Sequence, residues 1–233
     1  MSGWDAAWFD NSIQARQLVV WRGVEAQHVV STMRLVDTPD EQDLLETLLE
    51  GSKPAMPPTK QPKHYLLATP FRYSPAHASR FRPAHAKGQW YGSKDLEAAC
   101  AEVAYWRHRF ILDSAGLAKV DLLTEHTFFQ GAISGLAIDL MTPPWDASRT
   151  VWTNGADYSA THAVAAEAQH RGVQWIAYES VRSPGHRCAV VFDPDCLSEP
   201  AAGLETTKQT WHCKANLSSV MFTRGQRRLS WEF

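Results

Sequence analysis

Four prolines fall within the ten residues from Lys53 to Pro62, at Pro54, Pro57, Pro58 and Pro62, and they limit what the chain can form there. Each lacks an N–H and has a fixed φ, so neither a helix nor a central strand passes through the stretch. It reads as a linker or a long surface loop. It divides the 233 residues into an N-terminal appendage with its linker, residues 1–62, and a main domain, residues 63–233. A chain of this length has material for one large domain plus such an appendage.

Residues 1–50 read as mainly helical. The most regular piece, Asp37 to Glu50, opens with Thr38-Pro39-Asp40-Glu41, an N-cap followed by proline at the first helical position and an acidic first turn. Leu44, Leu45, Leu48 and Leu49 then share one face. The expectation is that this stripe covers the main domain, because most amphipathic helices face their own core. The alternative is a contact with a second copy or with another protein.

In the main domain the order of elements is mixed. His64 to Arg72 reads as extended, Ser74 to Lys87 as a loop, and Gln89-Trp90-Tyr91 as a short strand. Ser93 is the expected N-cap of a helix with Asp95 and Glu97 in its first turn and an apolar stripe of Leu96, Ala99, Cys100, Val103 and Ala104. Ile133 to Leu140 reads as a strand, Ser159 to Arg171 as a helix stopped by Gly172, and Val173 to Tyr178 and Arg187 to Phe192 as strands. Strands and helices do not alternate strictly, and no glycine-rich phosphate fingerprint or internal repeat occurs. The prediction is an α+β fold, a mixed β core with flanking helices and an N-terminal helical appendage.

The net charge of −2 excludes a dedicated nucleic-acid binder, which would be basic over a whole face. The balance is uneven, however. Gly51 to Lys94 holds eight Lys or Arg residues and no Asp or Glu, a block suited to a polyanion. The four cysteines lack the close paired spacing of a zinc site, and His186 near Cys188 and His212 beside Cys213 are the only metal candidates, so no metal is expected. Without a basic-then-apolar leader or a run of eighteen apolar residues, the expectation is a cytoplasmic protein with no membrane contact.

Within the basic block Arg72 and Arg80 are the best anion grips, because a guanidinium makes two parallel charged hydrogen bonds to phosphate; Arg82 and Lys87 rank below them. Solvated surface charge is the plain alternative for each. Glu102 lies about ten residues after Trp90-Tyr91, and one helix following one strand can return its carboxylate to the cleft beside those rings. Such a carboxylate suits N-glycosidic chemistry, where positive charge builds on a ribose as the bond breaks. An exposed helix acid balanced by Arg107 or Arg109 is the alternative. The ring of Tyr91 can stack on a cationic leaving base. Ser159 is either a helix cap or a ligand for a phosphate or amide group.

The order Phe71-Arg72-Tyr73, Ser79-Arg80-Phe81, Gly88-Gln89-Trp90-Tyr91-Gly92, Ala101-Glu102-Val103, Asp157-Tyr158-Ser159, then Gly185 before an apolar strand, resembles the RES-domain family, named for an arginine, a glutamate and a serine. The likeness runs from about Tyr65 to Leu197. It implies an ADP-ribosyltransferase-like fold and the toxin of a toxin–antitoxin pair whose antitoxin is an Xre-like protein. The implied activity is cleavage of NAD+ as substrate, by a glycohydrolase or phosphorylase; a mono-ADP-ribosyltransferase acting on a cellular protein is the alternative. Carried over, the family arginine is Arg72, the tyrosine Tyr91, the glutamate Glu102 and the serine Ser159, with Tyr73 beside the arginine and Arg80 or Arg82 as a second phosphate arginine. From a different class, the same basic block would serve a non-catalytic module that binds a phosphorylated ligand.

Overall fold

One long strand organises the sheet. The structure, a computed structural model, describes residues 4–26, 30–33, 35–117 and 119–233. Its strands are β1 (Gln14–Glu25), β2 (Trp90–Ser93), β3 (Leu122–Asp139), β4 (Trp175–Glu179), β5 (Arg187–Val191), β6 (Leu197–Ser198), β7 (Gln209–Ala215), β8 (Ser219–Arg224) and β9 (Arg227–Glu232). The helices are α1 (Val30–Met33), α2 (Pro39–Ser52), α3 (Tyr65–Ala68), α4 (Leu96–Leu112), α5 (Arg149–Trp152), α6 (Ser159–His170) and α7 (Leu204–Thr207).

Along one edge β3 pairs antiparallel with β1, from Gln14↔Ala137 to Glu25↔His126. Along its other edge it takes β7 antiparallel at Leu122 to Phe128, β6 at Ala132 and Ile133, and β4 parallel at Ala137 to Asp139. β4 pairs with β5, β5 with β2, and β2 returns to β1 at Trp21↔Ser93. The path β1–β2–β5–β4–β3 therefore closes on itself, while β7, β8 and β9 continue as a meander. Closure leaves no strand of that path at the end of the sheet order, and β9 is the terminal strand of the meander.

Three apolar clusters hold this arrangement. Trp90, Trp175, Phe129 and Ile133 fill one. Phe81, Trp145, Trp152 and Ile176 pack with Val164 of α6 in another. Cys100, Ala104 and Ile111 of α4 lie on Phe128, Trp211 and Phe222 in the third. Trp90, Trp145, Trp175 and Trp211 are all fully buried, and each such side chain removes roughly 200 Å² from water, about 5 kcal/mol of burial at the usual coefficient.

The mixed sheet with flanking helices agrees with the expected fold class, and α6, β4 and β5 fall where the sequence places them. The N-terminal reading needs correction. Residues 14–25, expected within a mainly helical appendage, form β1, because a strand there buries Val20 in the core and pairs along its whole length with β3. Among the described residues, helix in that region is supplied by α1, α2 and a 3-10 turn at Ala6–Trp8. α2 has the expected start, with a capping box between Thr38 and Glu41, but Leu44, Leu48 and Leu49 are exposed and do not cover the domain.

Smaller corrections follow the chain. His64 to Arg72 is not extended: the His64 side chain caps α3 by accepting from the Leu66 N–H, and a 3-10 turn continues over Thr69–Arg72 with Pro70 in its first turn. Ser93 lies in β2, and Asp95 is the N-cap of α4. β3 runs well beyond the expected Ile133 to Leu140, and the residues after 203 carry three strands of the same sheet. Gly88 closes the 73–88 loop by donating its N–H to Tyr73 O at 2.8 Å. A Cβ there would sit 1.9 Å from Pro70 O, so no other residue fits.

Candidate active site

Small residues on α4 set the position of its functional side chains. Ala98, Ala99, Cys100, Ala101 and Ala104 are buried, which lets the helix lie close against the sheet. Glu102, Tyr105 and Trp106 then line a cavity of about 350 Å³ bounded also by β1, β2, the end of β4 and the loops at Arg80, Tyr158 and Arg182. That volume is within the usual range for small-molecule sites, and aromatic rings form much of its wall. Its charged lining consists of three arginines, Arg22, Arg80 and Arg182, and one carboxylate, Glu102.

Glu102 is held by a serine that sequence reasoning did not choose. Ser180, at the end of β4 and 1% exposed, donates from Oγ to a Glu102 carboxylate oxygen at 2.6 Å. The same oxygen of Ser180 accepts the Arg182 and Ser183 N–H groups at 3.2 and 2.9 Å. One hydroxyl thus closes the turn after β4 and orients the carboxylate. Ser159 heads α6, with its N–H on Asp157 Oδ1 at 2.8 Å; it does not line the cavity, although its neighbour Tyr158 does.

Tyr91 lines the cavity with its ring while its hydroxyl faces inward, 2.9 Å from Ser79 Oγ, donating to Gln89 Oε1 at 3.0 Å and accepting the Phe81 N–H at 3.3 Å. Burial pushes this phenol up to about 12, although its hydrogen bonds and the Arg82 and Arg80 cations oppose the rise. It stays neutral and acts as a strut for the 79–81 segment. Burial also holds the Tyr178 phenol and, up to about 12, the Cys188 thiol in their neutral forms beside Glu102.

The arginines divide. Arg80 lines the cavity, anchored by Nη1 to Trp152 O and Asn154 O at 2.9 and 2.8 Å and lying 5.1 Å from the Tyr158 ring centre. Arg82 points away, 5% exposed, with its guanidinium on the carbonyls of Pro75, His77 and Pro83. Arg72 is bound to Glu50 Oε1 at 2.7 Å and to Pro54 O, tying the end of α2 to the body, and neither it nor Tyr73 lines the cavity.

Arg22 of β1 was missed. Its Nη1 donates to Tyr91 O at 2.9 Å, its guanidinium lies 5.3 Å from the Trp90 ring centre, and its Nε is buried without a partner. Burial lowers it to about 10, so it remains charged at neutral pH. The apolar run Leu18-Val19-Val20-Trp21, rich in β-branched and aromatic residues, was the available sign of a strand. Ser180 had a weaker sign, a serine ending an apolar strand just before Ser183-Pro184-Gly185. Among the described residues no group of three or more His, Cys, Asp or Glu is placed to hold a metal, and no helix is long and apolar enough to cross a membrane.

The RES domain family model matches residues 56–216 of this sequence. No curated protein matches it. Among solved structures the chain is similar to the crystal structure of the M. tuberculosis MbcT-MbcA toxin-antitoxin complex, with a TM-score of 0.49 and 13% identity over 91% of this chain and 92% of that one.

Proposed function

The chain belongs to the RES-domain family, and from that premise we propose that it is a toxin-like enzyme that cleaves the nicotinamide–ribose bond of NAD+, as a glycohydrolase or phosphorylase. The observation that carries this reading is the single carboxylate in a cavity otherwise lined by cationic and neutral groups, Glu102, oriented by Ser180 at 2.6 Å. A dinucleotide supplies the matching pattern: an anionic pyrophosphate for guanidinium groups and, at one end, a bond whose rupture creates a cation.

In this reading Arg22 and Arg80 hold the pyrophosphate, with Arg22 already paying little reorganisation because its strand and Trp90 fix it. As the C1′–N bond lengthens, its electron pair leaves with nicotinamide, which becomes neutral. The ribose becomes an oxocarbenium ion. Glu102 faces that developing charge and stabilises it, a contact stronger in the transition state than in the ground state. Water or phosphate then adds to C1′ on the opposite face, and when water adds, its extra proton passes to solvent. The products are nicotinamide and either ADP-ribose or its 1″-phosphate.

Purified protein incubated with NAD+, with and without inorganic phosphate, should release nicotinamide; no release under either condition would sink the proposal. An Xre-like antitoxin belongs to the same reading through the family resemblance. Growth arrest on expression, relieved by co-expressing such a partner, is its check.

A further inference from the structure

Arg182 lies on the Tyr105 ring, its guanidinium carbon 3.3 Å from the ring centre. Both residues line the cavity that holds Glu102. Among the described residues Arg182 has no carboxylate partner, so this planar cation rests against an aromatic face inside the site. Resting on the NAD+ reading above, we infer that Tyr105 is the seat of the pyridinium ring and that Arg182 is a resident stand-in that must leave before the substrate can occupy it.

The helix places Tyr105 correctly for that role. It follows Glu102 by three residues on α4, a spacing that puts two side chains on one face with Cβ atoms roughly 5–6 Å apart. A ribose whose C1′ faces Glu102 carries its pyridinium one bond away, within reach of that ring. The Tyr105 ring is braced edge-on by Trp106, at 5.4 Å and 75°. A guanidinium and a pyridinium are both flat, delocalised cations, attracted by the same ring quadrupole. The two therefore compete for one surface.

The Arg182 backbone is tied to the catalytic carboxylate, and its side chain is not. Its N–H bonds Ser180 Oγ, which also holds Glu102, and its side chain leaves a turn that ends at Gly185, where φ is +84°. The side chain can swing off Tyr105 without disturbing that backbone bond.

The test uses two probes on the intact protein, 1-methylnicotinamide as the pyridinium cation and nicotinamide as its neutral counterpart, with binding read by calorimetry. Arg182→Ala and Arg182→Gln should bind the cation about five- to tenfold tighter than the unmodified protein and the neutral probe within about twofold. Adding Tyr105→Leu should abolish the gain, and Tyr105→Phe should keep it; thermal melts check that every variant is folded. No gain for the cation, an equal gain for both probes, or a gain that survives Tyr105→Leu would overturn the inference. Nicotinamide release from NAD+ is scored separately: its absence with the binding pattern intact defeats the activity alone, whereas its presence without that pattern defeats the stand-in alone.

Discussion

Arg72 and Arg82 of the 72–88 loop and the arginines on the wall of the cavity, with Arg80 of the same loop among the latter, are used in opposite ways. In the loop, Arg82 gives its N–H groups to backbone carbonyls and Arg72 gives its own to Glu50 and Pro54. On the wall, Arg22, Arg80 and Arg182 line the cavity and have no carboxylate partner among the described residues. Equal charge in the sequence therefore divides into a framework set and a ligand set. What separates them is position: Arg22 and Arg80 also hold backbone carbonyls but border the cavity, whereas Arg72 and Arg82 are turned to partners outside it.

Four measurements would break or sharpen that division. The largest effect belongs to the wall. Glu102→Gln keeps the shape and can still accept from Ser180, so NAD+ binding should survive while turnover falls at least about a hundredfold, about 3 kcal/mol of transition-state stabilisation. Turnover within tenfold of the unmodified protein would remove Glu102 from the chemistry.

The next concerns the framework beneath α4. His126 is 3% exposed, 3.3 Å from an Arg107 guanidinium nitrogen, and burial followed by that cation lowers it to about 4. Above the unfolded value near 6.5 both states are neutral and the stability is complete. As pH falls from about 6.5 towards 4 the unfolded chain takes the proton first, and up to about 3 kcal/mol of folding free energy is lost. Chemical denaturation across that range should show the slope in the unmodified protein and a shallower one in His126→Asn. Parallel profiles would contradict it.

Arg82→Ala comes third. It leaves several loop carbonyls without donors and should cost about 2 kcal/mol of stability, with the loss appearing in the melting temperature before it appears in catalysis. A stable variant with a raised KM for NAD+ would move Arg82 into the ligand set. The smallest contrast pairs Arg22→Ala with Arg72→Ala. The first should raise KM about tenfold by removing a phosphate partner; the second should leave KM within about twofold and loosen α2, read as faster proteolysis near Pro54. Reversal of the pair would return the pyrophosphate to Arg72.

Much of the fold was legible where local signals agree. Thr38-Pro39-Asp40-Glu41 marks the start of α2, Gly172 with φ at +76° ends the chain's α6 segment, and two apolar runs mark β4 and β5. β1 was not legible as part of the sheet, because its partner β3 lies more than a hundred residues away in sequence and its apolar run is short. The His64 to Arg72 segment misled for a local reason. Its apolar residues suit an extended chain equally well, and only the His64 cap selects the helix.

By itself the sequence determined that a cationic, aromatic-rich segment is followed by a helix bearing Glu102, and from the order of its motifs it pointed to the family. Residue type and spacing suffice for that. Tertiary structure alone decided which arginines face the cavity, that Ser180 rather than Ser159 meets Glu102, and that the leucines of α2 stay exposed. Those outcomes depend on strand pairing and on which donors the backbone consumes, and both arise only when segments distant in the chain come together.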